Sequence, residues 1–253
     1  ALPICNFSGE PLNLAYPFPA EIKSLTNGTM QKKYSVKYNS KTIKEFFSKD
    51  GPLSKNLQYF ETRPQQGDMA VSIGRALDEN KLLLMEAGTG TGKSLAYLVP
   101  SLIWTMANNK RTLVATHTIN LQEQLWNKDI PILNETIGID FKAALLKGRT
   151  NYLCFRRWEA VLQQTIITNG EALFFARLLM WLSITETGDK NELSLSMKEH
   201  EYWSQVSSET DTCLGSNCKW FKRYCFVSRA RKKAEKSNII ITNHSMLFSD
   251  LKA

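Results

Sequence analysis

Residues Ala87–Ser94 read A-G-T-G-T-G-K-S. The three glycines, Gly88, Gly90 and Gly92, let the backbone enter conformations that a Cβ disfavours. Such a loop can turn several N–H groups inward, and a helix beginning just behind it adds its own unpaired donors. The string is the relaxed form of G-x-x-x-x-G-K-[ST], with Ala87 in the first glycine position. The mechanism expects such a loop to follow a strand and open a helix, and both are expected here. Lys81–Ala87 (K-L-L-L-M-E-A) is a short apolar run that reads as a buried strand. Leu95, Leu98, Val99, Leu102, Ile103 and Met106 recur at helical spacing behind the loop, with Pro100 expected to kink the helix. In this reading Gly88, Thr89, Gly90, Thr91 and Gly92 cradle the phosphates of ATP. Lys93 brings a charge to the β- and γ-phosphates, and the Ser94 hydroxyl ligates Mg²⁺. Lys93 and Ser94 are therefore the candidate catalytic residues.

The rest of the chain supplies the frame for such a loop. Met69, Ile73, Ala76 and Leu77 predict a helix before it. Thr112–Thr116 (T-L-V-A-T) predicts a second strand, Leu121 and Leu125 a second helix, Phe141–Leu145 a third strand and Asn238–Thr242 (N-I-I-I-T) a fourth. Strands alternating with helices predict an α/β fold with a parallel sheet and crossover helices. Between Asn151 and Lys236 the alternation stops. Leu173–Leu182 reads as a helix and Thr185–Asn191 as a polar loop. This gives four segments: an irregular lead-in at 1–58, an α/β domain at 59–150, an inserted and mainly helical domain at 151–236, and a return to the α/β domain at 237–253. The lead-in carries Pro3, Pro11, Pro17 and Pro19. Thr42–Phe47 could form a short helix there before Gly51-Pro52 breaks the chain.

Five cysteines, Cys5, Cys154, Cys213, Cys218 and Cys225, occur in a chain with no visible signal peptide. A metal site is then the stronger reading and a disulfide framework the weaker one. Cys213, Cys218 and Cys225 follow C-x4-C-x6-C, with Cys154 at the far edge of the insertion. Four thiolates can close a zinc site or hold an iron–sulfur cluster, and the spacing alone does not choose. Cys5 reads as a bystander. Around the last three cysteines lie Lys219, Lys222, Arg223, Arg229, Arg231, Lys232, Lys233 and Lys236, with Trp220, Phe221, Tyr224 and Phe226 between them. Cations can follow a phosphate backbone while aromatic faces stack on bases. The aromatics suit equally well a small core around a metal. The formal net charge of +8 fits a polyanionic partner. No apolar run has the length of a membrane span.

Several segments in order resemble one family, the XPD/DinG helicases of superfamily 2. They are E-T-R-P-Q-Q-G-D-M at Glu61–Met69, E-A-G-T-G-T-G-K-S at Glu86–Ser94, L-V-A-T-H-T-I-N-L-Q-E-Q-L at Leu113–Leu125, K-G-R-T-N-Y-L-C at Lys147–Cys154 and T-N-H-S-M-L at Thr242–Leu247. The bacterial DinG-type branch fits best. The resemblance implies a RecA-like P-loop domain interrupted by an iron–sulfur insertion, in an ATP- and Mg²⁺-dependent 5′-to-3′ DNA helicase active in DNA repair. It implies Cys154, Cys213, Cys218 and Cys225 as ligands of a 4Fe-4S cluster. Gln66, with Arg63, would form the adenine-side motif. Thr116, Asn120 and Gln124 would contact single-stranded DNA, aided by Lys219, Lys222 and Arg223 in the insertion. The implied protein is a bacterial cytoplasmic monomer acting on single-stranded or forked DNA.

The family also needs a D-E-A-H box and a second RecA-like domain. Neither is found in these 253 residues. The chain is expected to be part of a larger helicase core, to bind ATP and to hydrolyse it negligibly alone. The lead-in has no acidic cluster of the kind an exonuclease needs. The alternative expectation is a P-loop switch or a nucleic-acid-binding module with a structural zinc.

Overall fold

The computed structural model describes residues 39–57, 60–164 and 168–250. They form two compact units: 147–232 make one, and the residues before and after that stretch make the other.

The first stretch opens with helix α1 (Ser40–Phe46), capped where the Asn39 side chain accepts from the Thr42 N–H at 2.7 Å. Helix α2 (Pro52–Asn56) follows, with Pro52 in its first turn, where a missing N–H costs nothing. Helix α1 is the short helix expected at Thr42–Phe47, while α2 begins at the expected break, so the described part of the lead-in is not irregular. Ile43, Phe46, Phe47 and Leu53 are buried in the same core as Ala70, Leu98 and Leu102. Their apolar spacing outweighs the local breakers. Residues 1–38 lie outside the described residues. Helix α3 (Pro64–Asp78) follows as expected, then α4 (Lys93–Asn108), which runs through Pro100. Strand β1 (Thr112–Thr116) leads into α5 (Ile119–Gln124), a π-helical turn (Leu125–Asp129), α6 (Ile130–Thr136) and β2 (Ala143–Leu145).

The segment Lys81–Ala87 is not the predicted strand. It has no regular structure, and Leu82 and Leu84 are almost fully exposed. A strand exists only by pairing. The described sheet has three strands, and none of them pairs with this segment.

The second unit is helical: α7 (Phe155–Leu162), α8 (Asn169–Leu182), α9 (Met197–Val206) and α10 (Phe226–Glu235), the last of which ends beyond the unit. Helices α8 and α9 both start in full capping boxes, Thr168 with Glu171 and Ser196 with Glu199. The core is strongly aromatic: Trp158, Phe174, Phe175, Trp181, Trp203 and Phe226 are all buried. Short bridges from Tyr152 to Asp189 and from Leu153 to Ser207 tie the start of this unit to its middle. The ammonium of Lys147, almost wholly buried, pairs with Asp189.

The chain then returns to the first unit with β3 (Ile239–Asn243) and α11 (His244–Asp250). Strand β3 is central and parallel to both neighbours, in the order β1-β3-β2. Thr116 lies opposite Asn243, so the loops after β1 and β3 leave the same edge. The α/β, RecA-like reading of this unit holds.

Candidate nucleotide site and cysteine-lined cavity

The glycine-rich loop ends where α4 begins. Gly92 is the N-cap of α4 at φ +74°, with no side chain capping the first turn, and Gly90 sits at φ +79°. Both values belong to the left-handed region that favours glycine. A 16-residue helix thus presents its N-terminal donors and positive dipole end to this loop. Gln66 is buried, and its Nε2 donates to the Gly92 carbonyl at 2.8 Å. The Arg63 guanidinium donates to the Gly90 carbonyl and pairs with Glu61 at 2.8 Å. The two expected adenine-side residues therefore grip the phosphate loop itself. Thr91 Oγ1 donates to the Gly88 carbonyl at 3.0 Å. Lys93 curls back, its Nζ donating to the carbonyls of Ala87 at 2.7 Å and Gly88 at 3.2 Å. Its charge thus lies over the loop, at an exposed position.

Ser94 lies beside two groups that the sequence reading missed, Tyr97 and Asp129. Burial raises the Tyr97 phenol above its ordinary value, against a hydrogen bond with Ser94, and the Asp129 charge adds to the rise. Burial also raises the Asp129 carboxyl above the usual carboxylate range, against the charge of Lys128 and a hydrogen bond from Ser94. The sequence did carry a signal. Asp129 sits four residues from both Leu125 and Leu133, on the buried face of its helix, where a carboxylate needs a reason.

The segment expected to meet single-stranded DNA divides in two. Asn120 and Gln124 are exposed and share one face of α5. Thr116 is 4% exposed, with its hydroxyl donating to the Thr118 carbonyl at 2.9 Å. Its side chain lies at the end of β1.

In the helical unit Cys154, Cys213, Cys218 and Cys225 line one cavity, walled by Leu153, Phe155, Trp220 and Val227 among others. Cys154 caps α7, and its N–H donates to the Val206 carbonyl at 2.8 Å. Burial pushes the Cys213 thiol up, but the Gly215 N–H and the guanidinium groups of Arg149 and Arg156 outweigh it and leave it below the ordinary thiol value. Burial raises the Cys225 thiol, opposed by the Ser228 N–H and reinforced by Cys154 and Cys213. Among the described residues, no three His, Cys, Asp or Glu side chains converge closely enough to hold a metal ion.

The interleaved aromatics serve packing. Phe155 stacks on both Trp220 and Phe226 with ring centres 5.4 Å apart, and Tyr224 meets Trp220 edge-on at 5.7 Å. Lys219, Lys222 and Arg223 are exposed. Lys219 pairs with Glu159 at 2.7 Å and lies 5.1 Å from the Trp220 ring centre, while Arg223 lies 5.4 Å from that of Tyr224.

Comparison with known proteins decides the family. The sequence profile of the DEAD/DEAH box helicases matches residues 68–189. The ATP-dependent DNA helicase YoaA of Haemophilus influenzae is 37% identical over 210 residues, covering 83% of this chain and 32% of the relative. The ATP-dependent helicase DinG of Mycobacterium tuberculosis is 35% identical over 206 residues, covering 74% and 31%. The chain belongs to the DinG-type helicases. A further DinG protein, the 3′-5′ exonuclease DinG of Bacillus subtilis, is 32% identical over 198 residues, covering 78% of the chain and 21% of the relative. The DinG-type chain described here spans about a third or less of the length of these relatives. Among its described residues no helix is long and apolar enough to cross a membrane.

Proposed function

We propose that this chain is the nucleotide-binding part of the first motor domain of an ATP-dependent 5′-to-3′ DNA helicase. The observation that carries the reading is the glycine-rich loop, closed by left-handed Gly92 onto the open N-terminus of α4, with Lys93 and Ser94 in the first turn. Backbone donors and a helix dipole favour the triphosphate, and Lys93 adds a point charge. Ser94 offers a hydroxyl to Mg²⁺. Gln66 and Arg63 link the adenine side to the loop carbonyls, so base recognition and loop shape are coupled. A second motor domain elsewhere in the full protein would close over the nucleotide and complete hydrolysis.

Single-stranded DNA, held next to a fork, would run across the sheet edge where Asn120 and Gln124 are exposed. Lys219, Lys222 and Arg223 would meet phosphates near the fork. Residues 151–236 would be an inserted cluster domain, between α/β parts at 59–150 and 237–253. The lining of the cysteine-lined cavity supports this reading. Cys154 and the three clustered cysteines Cys213, Cys218 and Cys225 share one mostly apolar wall, with the Arg149 and Arg156 guanidinium groups nearby to favour thiolates. In this reading Cys154, Cys213, Cys218 and Cys225 hold a 4Fe-4S cluster, which serves as a rigid covalent anchor. The protein would work as a monomer in the bacterial cytoplasm.

The test is unwinding of forked duplexes by the full-length protein, with iron analysis of anaerobically purified material. Expected are ATP- and Mg²⁺-dependent opening of substrates with a 5′ single-stranded tail and about four irons per chain. Opening only from a 3′ tail, or a stoichiometric zinc without iron, would overturn the corresponding part of the proposal.

A further inference from the structure

Asp129 is 6% exposed, and its Oδ2 is buried without a hydrogen-bond partner. It ends the π-helical turn Leu125–Asp129, a rare geometry that rotates a side chain away from its α-helical position and often marks functional sites. Here the carboxylate reaches Ser94 in the first turn of α4, with Tyr97 beside it and the Lys128 charge nearby. A buried carboxylate with an open oxygen costs free energy unless a cation or donor meets it.

We infer that Asp129 is a positioning residue for the divalent ion at the phosphate loop, accepting the Ser94 O–H so that the Ser94 oxygen turns a lone pair to the ion. The inference rests on the nucleotide-site reading above. A serine hydroxyl has one hydrogen and two lone pairs. When its oxygen binds a cation, the hydrogen must point elsewhere, and the best acceptor is an anion that the ion's own field stabilises. The nearby loop carbonyls already serve other donors: Gly92 takes Gln66, Gly90 takes Arg63, and Ala87 and Gly88 take Lys93. Asp129 is the charged acceptor left to Ser94. A carboxylate behind a ligand hydroxyl also makes that oxygen a better donor to the metal.

The test measures binding of a fluorescent ADP to the full-length protein with Mg²⁺ and with chelator, in wild type, Asp129→Asn and Asp129→Leu. Leucine continues the apolar face of Leu125 and Leu133, so this variant is expected to melt no lower than wild type. Both variants should keep the affinity measured with chelator and lose about tenfold or more of the Mg²⁺-dependent tightening. A purely structural Asp129 would instead lower the melting temperature of Asp129→Leu and leave the Mg²⁺ dependence alone. Wild-type Mg²⁺ dependence in either folded variant would overturn the inference while leaving nucleotide binding intact. A wild-type protein that binds no nucleotide would overturn the site and the inference together.

Discussion

Replacing Lys147 by methionine removes one half of a buried ion pair. The Lys147 side chain is 1% exposed and that of Asp189 is 11% exposed. Without the ammonium, the Asp189 carboxylate keeps the Asn191 N–H at 3.0 Å but loses its counter-charge. Breaking such a pair from one side costs about 3–5 kcal/mol, because the remaining charge stays desolvated. Asp189→Asn should cost a similar amount, since it removes the counter-charge of the buried ammonium. The double variant Lys147→Met/Asp189→Leu should recover most of the loss, since neither charge remains. The assay is urea unfolding followed by tryptophan fluorescence, where Trp158, Trp181, Trp203 and Trp220 all lie in the unit concerned. Single variants that each cost under about 1 kcal/mol, or costs that simply add, would refute the reasoning.

Three further outcomes follow from local geometry. Gly92→Ala places a Cβ 2.2 Å from Gln66 Nε2 in a left-handed backbone; fluorescent-nucleotide titration should find affinity at least about tenfold weaker, the equivalent of 1.4 kcal/mol. Trp158→Ala empties a wholly buried site in the aromatic core and should lower unfolding free energy by about 3–5 kcal/mol in a urea titration. Hydrogen bonds from Gln205 and Thr168 hold Glu171 below the ordinary carboxylate value, and the Ser196 bonds with the Arg177 charge do the same for Glu199. Both folded values are depressed, so their stabilisation is present above the unfolded value near 4.5 and is lost as pH falls through the folded values. Melting curves across that acid window should flatten in Glu171→Gln/Glu199→Gln.

Much of the frame was legible because it rests on periodicity. Met69, Ile73 and Ala76 announced α3, and T-L-V-A-T and N-I-I-I-T announced β1 and β3 almost to the residue. The failures have a common cause: the property in question is set by a partner distant in sequence. K-L-L-L-M-E-A has strand composition, yet its strand character depends on an edge that the described sheet does not give it. Prolines and glycines made 1–58 look irregular, but Ile43 and Leu53 find a core built by α3 and α4. At the site, the order strand–loop–helix pointed to the loop; Asp129 was signalled only by its place on the Leu125 and Leu133 face, and its meeting with Ser94 and Tyr97 became visible once the π-helical turn met α4. For the aromatics beside the cysteines, composition left packing and base stacking open. Trp220, Tyr224 and Phe226 all contact Phe155, which is a packing role.

Nucleotide titration of the wild-type chain beside Lys93→Ala, in the presence of Mg²⁺, bears most directly on the central claim. A charged hydrogen bond of about 1.5–3 kcal/mol predicts ATP binding weakened roughly 10- to 150-fold by the substitution. Equal affinity in the two proteins would mean that the loop at the head of α4 does not hold the triphosphate, and the motor reading would fall with it.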